Sequence, residues 1–90
     1  MPDWHPEDIK AAVRKRGVTL AQIARDAGLS GSALRLALTL PRAEAERAIA
    51  AFLDLHPKTI WPSRYHLDGR RKRPQPVDNY RAEARFGNPA

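Results

Sequence analysis

Residues 30–39 include a group of small or hydrogen-bonding side chains at spacings that place them on the outer side of one helix. An arginine in such a place can donate two hydrogen bonds to one guanine, and a serine can bond to several bases or to a phosphate. A glycine lets the backbone approach a partner closely. The group therefore indicates a surface that reads base edges in the DNA major groove. The alternative for its arginine is a solvated side chain or a contact with phosphate alone. Its members are Ser30, Gly31, Ser32, Arg35 and Thr39.

The surrounding residues, 19–38, have the spacing of a helix-turn-helix. Thr19 and Gln22 form the pattern of a capping box, and Gly28 supplies the positive φ that a tight turn needs. Ser30 then caps a second helix, and the first residues of that helix would lie nearest to the base edges. Gln22 can both cap the first motif helix and touch phosphate. An ordinary pair of packed helices with the same glycine stop and serine cap is the alternative.

The rest of the domain also predicts helices. Pro6 suits the first position of a helix that Gly17 ends, Pro41 opens a fourth helix, and His56-Pro57 opens a short fifth one. No segment alternates apolar and polar residues for long enough to predict a strand. The predicted fold class is all-α, with five helices around one core. The predicted core residues are Ile9, Val13, Leu20, Ile23, Leu29, Leu34, Leu38, Ile49, Phe52, Leu53, Ile60 and Trp61.

Composition limits the kinds of protein that this chain can be. Its 90 residues suffice for one small domain, and its net charge of +6 favours a polyanionic partner. The absence of Cys excludes disulfides and Cys-based zinc sites. We expect neither a membrane span nor a signal peptide, because the apolar runs are short. His5, His56 and His66 share no helix face, and there is no glycine-rich phosphate loop, so we expect no enzyme, no cofactor and no metal.

A change of composition divides the chain into residues 1–66, the predicted DNA-binding domain, and residues 67–90, a basic and largely disordered tail. The tail has several Pro and Gly and few large aliphatic residues, so we expect the domain to fold without it. Its basic run would either follow the DNA phosphates or lie in the minor groove, and a merely solubilising end is the third option. The residues of this run are Arg70, Arg71, Lys72 and Arg73.

The run Ile-Trp-Pro-Ser-Arg-Tyr at residues 60–65 has two interpretations. Ile60 and Trp61 would cover the open end of a small core, and Pro62 would end the fifth helix. Arg64 would then either contact a phosphate or serve only in packing.

The chain resembles a known family over about residues 3–66. The most specific of the shared features is the Ile-Trp-Pro-Ser-Arg-Tyr run, and the helix-turn-helix is another. The other shared features are Asp3-Trp4-His5, Pro41, Glu46, Ile49-Ala50, Leu53 and Pro57-Lys58-Thr59. These features are similar to those of the Ner family, small DNA-binding regulators of transposing, Mu-like bacteriophages, and of its Ner-like (Nlp) relatives in bacterial chromosomes. The resemblance implies a lambda-repressor-like domain that represses early phage transcription. Leu36 departs from it, because the family often has a polar residue there.

Two functions from different classes follow from these observations. The first is a sequence-specific transcriptional regulator, and more narrowly a repressor, that binds double-stranded operator DNA in the bacterial cytoplasm. It would act as a weak homodimer or as several copies on repeated half-sites. The second is a phage or bacterial adaptor that binds another protein and has incidental affinity for nucleic acid. The polar outer face of residues 30–39, with Leu36 as its exception, favours the first function.

Overall fold

The computed structural model describes residues 2–80. In this part of the chain there is no strand, and an isolated antiparallel bridge joins Tyr65 to Arg71. The prediction of an all-α fold with five helices is confirmed. The elements are α1 (Pro6–Lys15), α2 (Leu20–Ala27), α3 (Gly31–Ala37), α4 (Ala43–Phe52) and α5 (Pro57–Ile60), followed by two 3₁₀ helices at Pro62–Arg64 and Val77–Tyr80.

Four of the five helices, α1, α2, α3 and α5, begin where a side chain or a proline accounts for their first N–H groups. The Nδ1 atoms of His5 and His56 accept hydrogen bonds from the backbone two residues further on, at the starts of α1 and α5. The start of α4 differs from the prediction, because the helix begins at Ala43 instead of Pro41. The side chain of its N-cap residue, Arg42, does not cap the helix. Instead the Arg42 backbone N–H donates to the Glu46 carboxylate at 2.7 Å.

The five helices enclose a single apolar core. Nine of the twelve predicted core residues are buried, whereas Leu20, Leu29 and Phe52 are half-buried against its edge. Trp61 is fully buried, which agrees with the interpretation that it covers the end of the core. Small residues such as Ala24, Ala37, Ala45 and Ala50 complete the core where α2, α3 and α4 pack together.

Residues 67–80 continue the domain. The backbone N–H of Lys72 donates to the Arg64 carbonyl at 3.0 Å, and Gln75 Nε2 donates to the same oxygen at 3.0 Å. Asn79 Nδ2 donates to the Ser63 carbonyl at 3.2 Å, and Asn79 is buried. The structure therefore differs from the predicted boundary at residue 66. Polar contacts attach this segment to the domain, and its small content of large apolar residues gives no sign of them. Residues 81–90, the rest of the predicted tail, lie outside the described residues.

Candidate nucleic-acid interface

The turn between α2 and α3 has the geometry that the glycine pattern predicts. Gly28 has φ of 74° and ψ of 26°, a left-handed conformation that is costly for other residues. The next backbone N–H, that of Leu29, donates to the Ala24 carbonyl at 2.8 Å and closes the end of α2. Ala24 itself is buried, and α2 packs directly against α3. The turn therefore fixes the angle between two short helices.

One face of α3 is left open by this packing. Leu34 and Ala37 point into the core, whereas Ser32, Arg35 and Leu36 are exposed. At 100° per residue the exposed positions span an arc of about 100°, which is the width of one helix face. Gly31 lies beside the Arg35 edge of this arc, whereas Thr39, just after the end of α3, falls within it; both are half-buried. The predicted group of residues 30–39 thus gathers on the surface side of α3, with Leu36 added to it.

The Arg35 side chain folds back along α3 towards its first turn. Its Nη2 atom donates to Ser32 Oγ at 3.4 Å, which is a long hydrogen bond. A Cβ atom at Gly31 would lie 3.4 Å from Arg35 Nη1, which is contact with the end of a flexible side chain. The local packing therefore does not require glycine at this position.

Two of the predicted contact residues also serve as helix caps. Ser30 Oγ accepts a hydrogen bond from the Ala33 backbone N–H at 3.1 Å. The predicted capping box is confirmed, since Gln22 Oε1 accepts from the Thr19 N–H at 2.8 Å and Thr19 Oγ1 accepts from the Gln22 N–H at 3.2 Å. Of the Gln22 side-chain amide, only the oxygen takes part in these two bonds, because the second bond is donated by the Gln22 backbone N–H. Its Nε2 donors take no part in them.

Sequence reasoning missed two cations beside this face. Lys10 and Arg14 of α1 line a shallow groove together with Thr19 and Arg35, so three positive side chains border the same depression. Lys10 also forms an exposed ion pair with Glu7, at 3.1 Å. The signal in the sequence was their spacing of four residues, which puts both on one side of a helix. Three cations along one groove suit a phosphate backbone.

Of the two alternatives for Arg64, phosphate contact or packing, the structure favours packing, because its side chain is fully buried. Arg64 Nη1 donates to Glu46 Oε2 at 3.0 Å and to the Ala37 carbonyl, at the end of α3, at 2.8 Å. Its guanidinium group also lies 4.9 Å from the centre of the Trp61 ring. The residue is therefore part of the core, and it connects α3 to α4. A buried arginine has no surface to offer to DNA.

Glu46 is the centre of this buried polar cluster. Besides Arg64, it accepts hydrogen bonds from Tyr65 Oη at 2.7 Å and from Arg71 Nε and Nη2 at 3.2 and 3.1 Å. Burial alone would raise the pKa of the Glu46 carboxyl, but the hydrogen bonds from Arg71 and Tyr65 and the charge of Arg64 outweigh it and lower that pKa. Burial and the bond to Glu46 in turn raise the pKa of the Tyr65 hydroxyl. Glu46 is thus held ionised inside the domain.

A sequence signal for this cluster existed. On the helical wheel of α4, Glu46 falls between the buried positions of Leu53 and Ala50, in the middle of the inward face. A carboxylate in such a place requires a cation, and Arg64 and Arg71 are the partners that the fold supplies.

The four residues of the basic run have different surroundings. Arg70 and Arg73 are exposed, and Arg70 Nε donates to Asp68 at 2.9 Å. Arg71 is bound to Glu46, and only 18% of its side chain is exposed. Lys72 is half-buried. Arg70 and Arg73 are therefore the members of the run that present their charge most fully to the surface.

The geometry of the described residues provides neither of two other features, a metal site and a membrane-spanning helix. Within residues 2–80, no three His, Asp or Glu side chains lie close enough together to bind a metal ion. None of the helices described in that range is long and apolar enough to cross a bilayer.

The chain is similar to known DNA-binding and regulatory proteins. A family model described as winged helix-turn-helix DNA-binding matches residues 3–76. Sugar fermentation stimulation protein B of Escherichia coli K12 is 50% identical over 64 residues, which are 71% of this chain and 70% of that protein. A negative regulator of transcription from Escherichia phage D108 is 48% identical over 63 residues, 70% of this chain and 86% of the relative.

A third relative comes from a prophage. The Mu-like prophage FluMu DNA-binding protein Ner of Haemophilus influenzae is 33% identical over 72 residues, 80% of this chain and 79% of that protein. The resemblance to the Ner family that the run at residues 60–65 indicated is confirmed by this match and by the phage D108 relative.

Proposed function

Because the chain belongs to the family of winged helix-turn-helix DNA-binding domains, we propose that it represses transcription by placing α3 in the major groove of an operator. The observation that carries this proposal is the exposed face of α3 with Ser32 and Arg35, because Arg35 also lines one groove with the cations of α1. A polar face with an arginine is suited to base edges. Such a regulator works on DNA in the bacterial cytoplasm and performs no catalysis.

The names of the relatives bear on whether the chain represses or activates transcription. The relative from phage D108 is named a negative regulator of transcription. The Escherichia coli relative is named for stimulation of sugar fermentation, and this favours activation as a second candidate outcome of the same DNA contact. Repression and activation need the same interface but differ in where the operator lies relative to the promoter.

The contacts divide into those that specify sequence and those that position the domain. We assign Arg35 to a guanine and Ser32 and Thr39 to neighbouring base edges or phosphates. Gly31 would let the start of α3 approach the DNA backbone closely, and Ser30 mainly caps α3.

The positioning contacts come from cations and from the start of α2. Lys10 and Arg14 face one strand of phosphates, and Gln22 reaches a phosphate through its amide nitrogen. Arg70 and Arg73 supply further charge, which carries no sequence information. A helix of seven residues contacts only a few base pairs, so we infer that several copies, or a weak homodimer, occupy repeated half-sites.

A footprint on the DNA upstream of the chain's own gene tests the proposal, and a promoter fusion then gives the sign of regulation. Arg35→Ala should weaken operator binding by about 1–3 kcal/mol while changing binding to unrelated DNA much less. Arg47→Ala is the matched control, since Arg47 is an exposed arginine on α4. It removes the same charge from α4 instead of α3.

The possible results separate the candidates clearly. Equal losses on operator and unrelated DNA with Arg35→Ala would assign Arg35 to the phosphate backbone. Weak binding with no preferred sequence would favour the adaptor, whereas operator affinity that falls steeply with salt favours the repressor.

A further inference from the structure

The surface side of α3 includes one residue that the proposed contacts do not use. In the described helices α1–α5, Leu36 is the one large apolar side chain that remains exposed, with 40% of its surface accessible. Single exposed leucines are ordinary on protein surfaces. Leu36, however, stands one helical turn after Ser32, and Arg35 occupies the other edge of the same face. Its position is therefore within the surface that would meet the base edges.

The chemistry of the major groove includes one apolar feature. Thymine presents its C5-methyl group there, beside the hydrogen-bonding atoms that polar side chains recognise. The isobutyl group of Leu36 has no hydrogen-bonding atom, so a polar base edge would gain nothing from it and would lose water. A C5-methyl group is the base feature that an exposed leucine fits.

The helix also fixes where this contact must lie. Arg35 and Leu36 are neighbours in sequence and stand 100° apart on the wheel, with Ser32 and Thr39 between them. The Arg35 guanidinium group folds back towards Ser32, at the first turn of α3. The contact of Leu36 is therefore displaced from the contact of Arg35 in two directions. It lies on the other edge of the helix face, and it lies closer to the end of α3.

We propose that Leu36 is a specificity-determining residue that contacts the C5-methyl group of a thymine a short distance from the base pair bound by Arg35. This inference rests on the proposed function, because it assumes that α3 lies in the major groove. It adds a preference for one A·T pair that the polar residues of the face would not supply. The same chemistry would admit 5-methylcytosine, whose methyl group occupies the same position on the ring.

Selection from a random DNA library first gives the preferred sequence. Each thymine of that sequence is then replaced singly by deoxyuridine, which lacks only the methyl group. The wild-type protein should lose affinity about fourfold at one position, the factor that corresponds to ~0.8 kcal/mol for one buried carbon group. Leu36→Ala should bind thymine and deoxyuridine equally at that position. Leu67→Ala, which shortens an exposed leucine outside the helices, should retain the fourfold difference.

A second arm separates the methyl group from the rest of thymine. At the sensitive position, a G·C pair with 5-methylcytosine should bind the wild-type protein more tightly than the same pair with cytosine, and Leu36→Ala should remove that difference. A gain that survives in Leu36→Ala would contradict the proposal. Because Leu36 is exposed, Leu36→Ala should melt within a few degrees of the wild type, so its effects will report on binding.

The remaining outcomes overturn the inference in distinguishable ways. If the selected sequence shows no loss with deoxyuridine at any thymine, Leu36 does not read a methyl group, although the proposed function stands. If Leu36→Ala changes only the oligomeric state in sedimentation experiments, Leu36 belongs to a contact between copies of the chain. If the library yields no preferred sequence, the proposed function fails and this inference fails with it.

Discussion

Glu46→Gln is a sharp test of the buried cluster, because it removes a charge and almost no volume. Glu46 is fully buried and accepts hydrogen bonds from Arg64, Tyr65 and Arg71, and from the backbone N–H of Arg42. Glutamine can still accept bonds at one oxygen, but its NH₂ group would face donors. The fully buried Arg64 guanidinium group would lose its counter-charge.

The expected loss is large for a domain of this size. Removing one partner of a buried ion pair costs about 3–5 kcal/mol, because the remaining charge is left uncompensated in the interior. For a domain of 60–100 residues, each kcal/mol lowers the melting temperature by about 4–8 °C. The variant should therefore melt at least about 12 °C below the wild type, measured by circular dichroism.

Glu44→Gln is the control for this experiment. It lies on the same helix and loses the same charge, but Glu44 is exposed. Because it sits in the first turn of α4, its removal should cost only about 0.3–1 kcal/mol through the helix dipole. Equal melting temperatures for Glu46→Gln and the wild type would refute the argument, since they would show that the buried cluster contributes nothing net.

The pH dependence gives an independent check on the same residue. The pKa of Glu46 in the folded protein lies below its ordinary value of 4.5. The contribution of ionised Glu46 to the stability of the fold is therefore fully present above pH 4.5. The contribution is lost as pH falls through the lowered pKa, where Glu46 becomes protonated. The stability difference between the wild type and Glu46→Gln should therefore be constant near neutral pH and narrow below about pH 4.5. A difference that stays unchanged down to low pH would mean that the charge of Glu46 is not what stabilises the fold.

Two further variants test the turn and the C-terminal segment. Gly28→Val should cost about 1–3 kcal/mol, measured by chemical denaturation, because φ is 74° there. The added Cβ itself meets no atom within 4 Å, so the cost expected from it is backbone strain. A loss no larger than that of Gly28→Asn would contradict this explanation. A chain that ends at residue 67 should melt at a temperature well below that of a chain that ends at residue 80. Only the longer chain keeps the contacts of Arg71, Gln75 and Asn79. Equal melting temperatures would mean that those contacts do not stabilise the fold.

The helices and the face of α3 could be predicted because their signals are local. The capping box of Thr19 and Gln22, the cap at Ser30 and the left-handed Gly28 each act within four residues. The buried cluster could not be predicted in the same way. Its partners are up to 27 residues apart in sequence, as with Arg64 and the Ala37 carbonyl. The domain boundary predicted from composition also lies too early in the chain, because amide and ionic contacts attach residues 67–80 to the rest of the domain.

The buried cluster has a consequence for recognition, because α3 has only seven residues and such a short helix is not stable by itself. Its position must come from tertiary contacts at both ends and along its inner face. Ser30 caps the start, Leu34 and Ala37 pack into the core, and Arg64 binds the carbonyl at the end. Glu46 in turn holds Arg64. A carboxylate on α4 thereby helps to fix the orientation of the α3 face, although it has no surface of its own to offer to DNA.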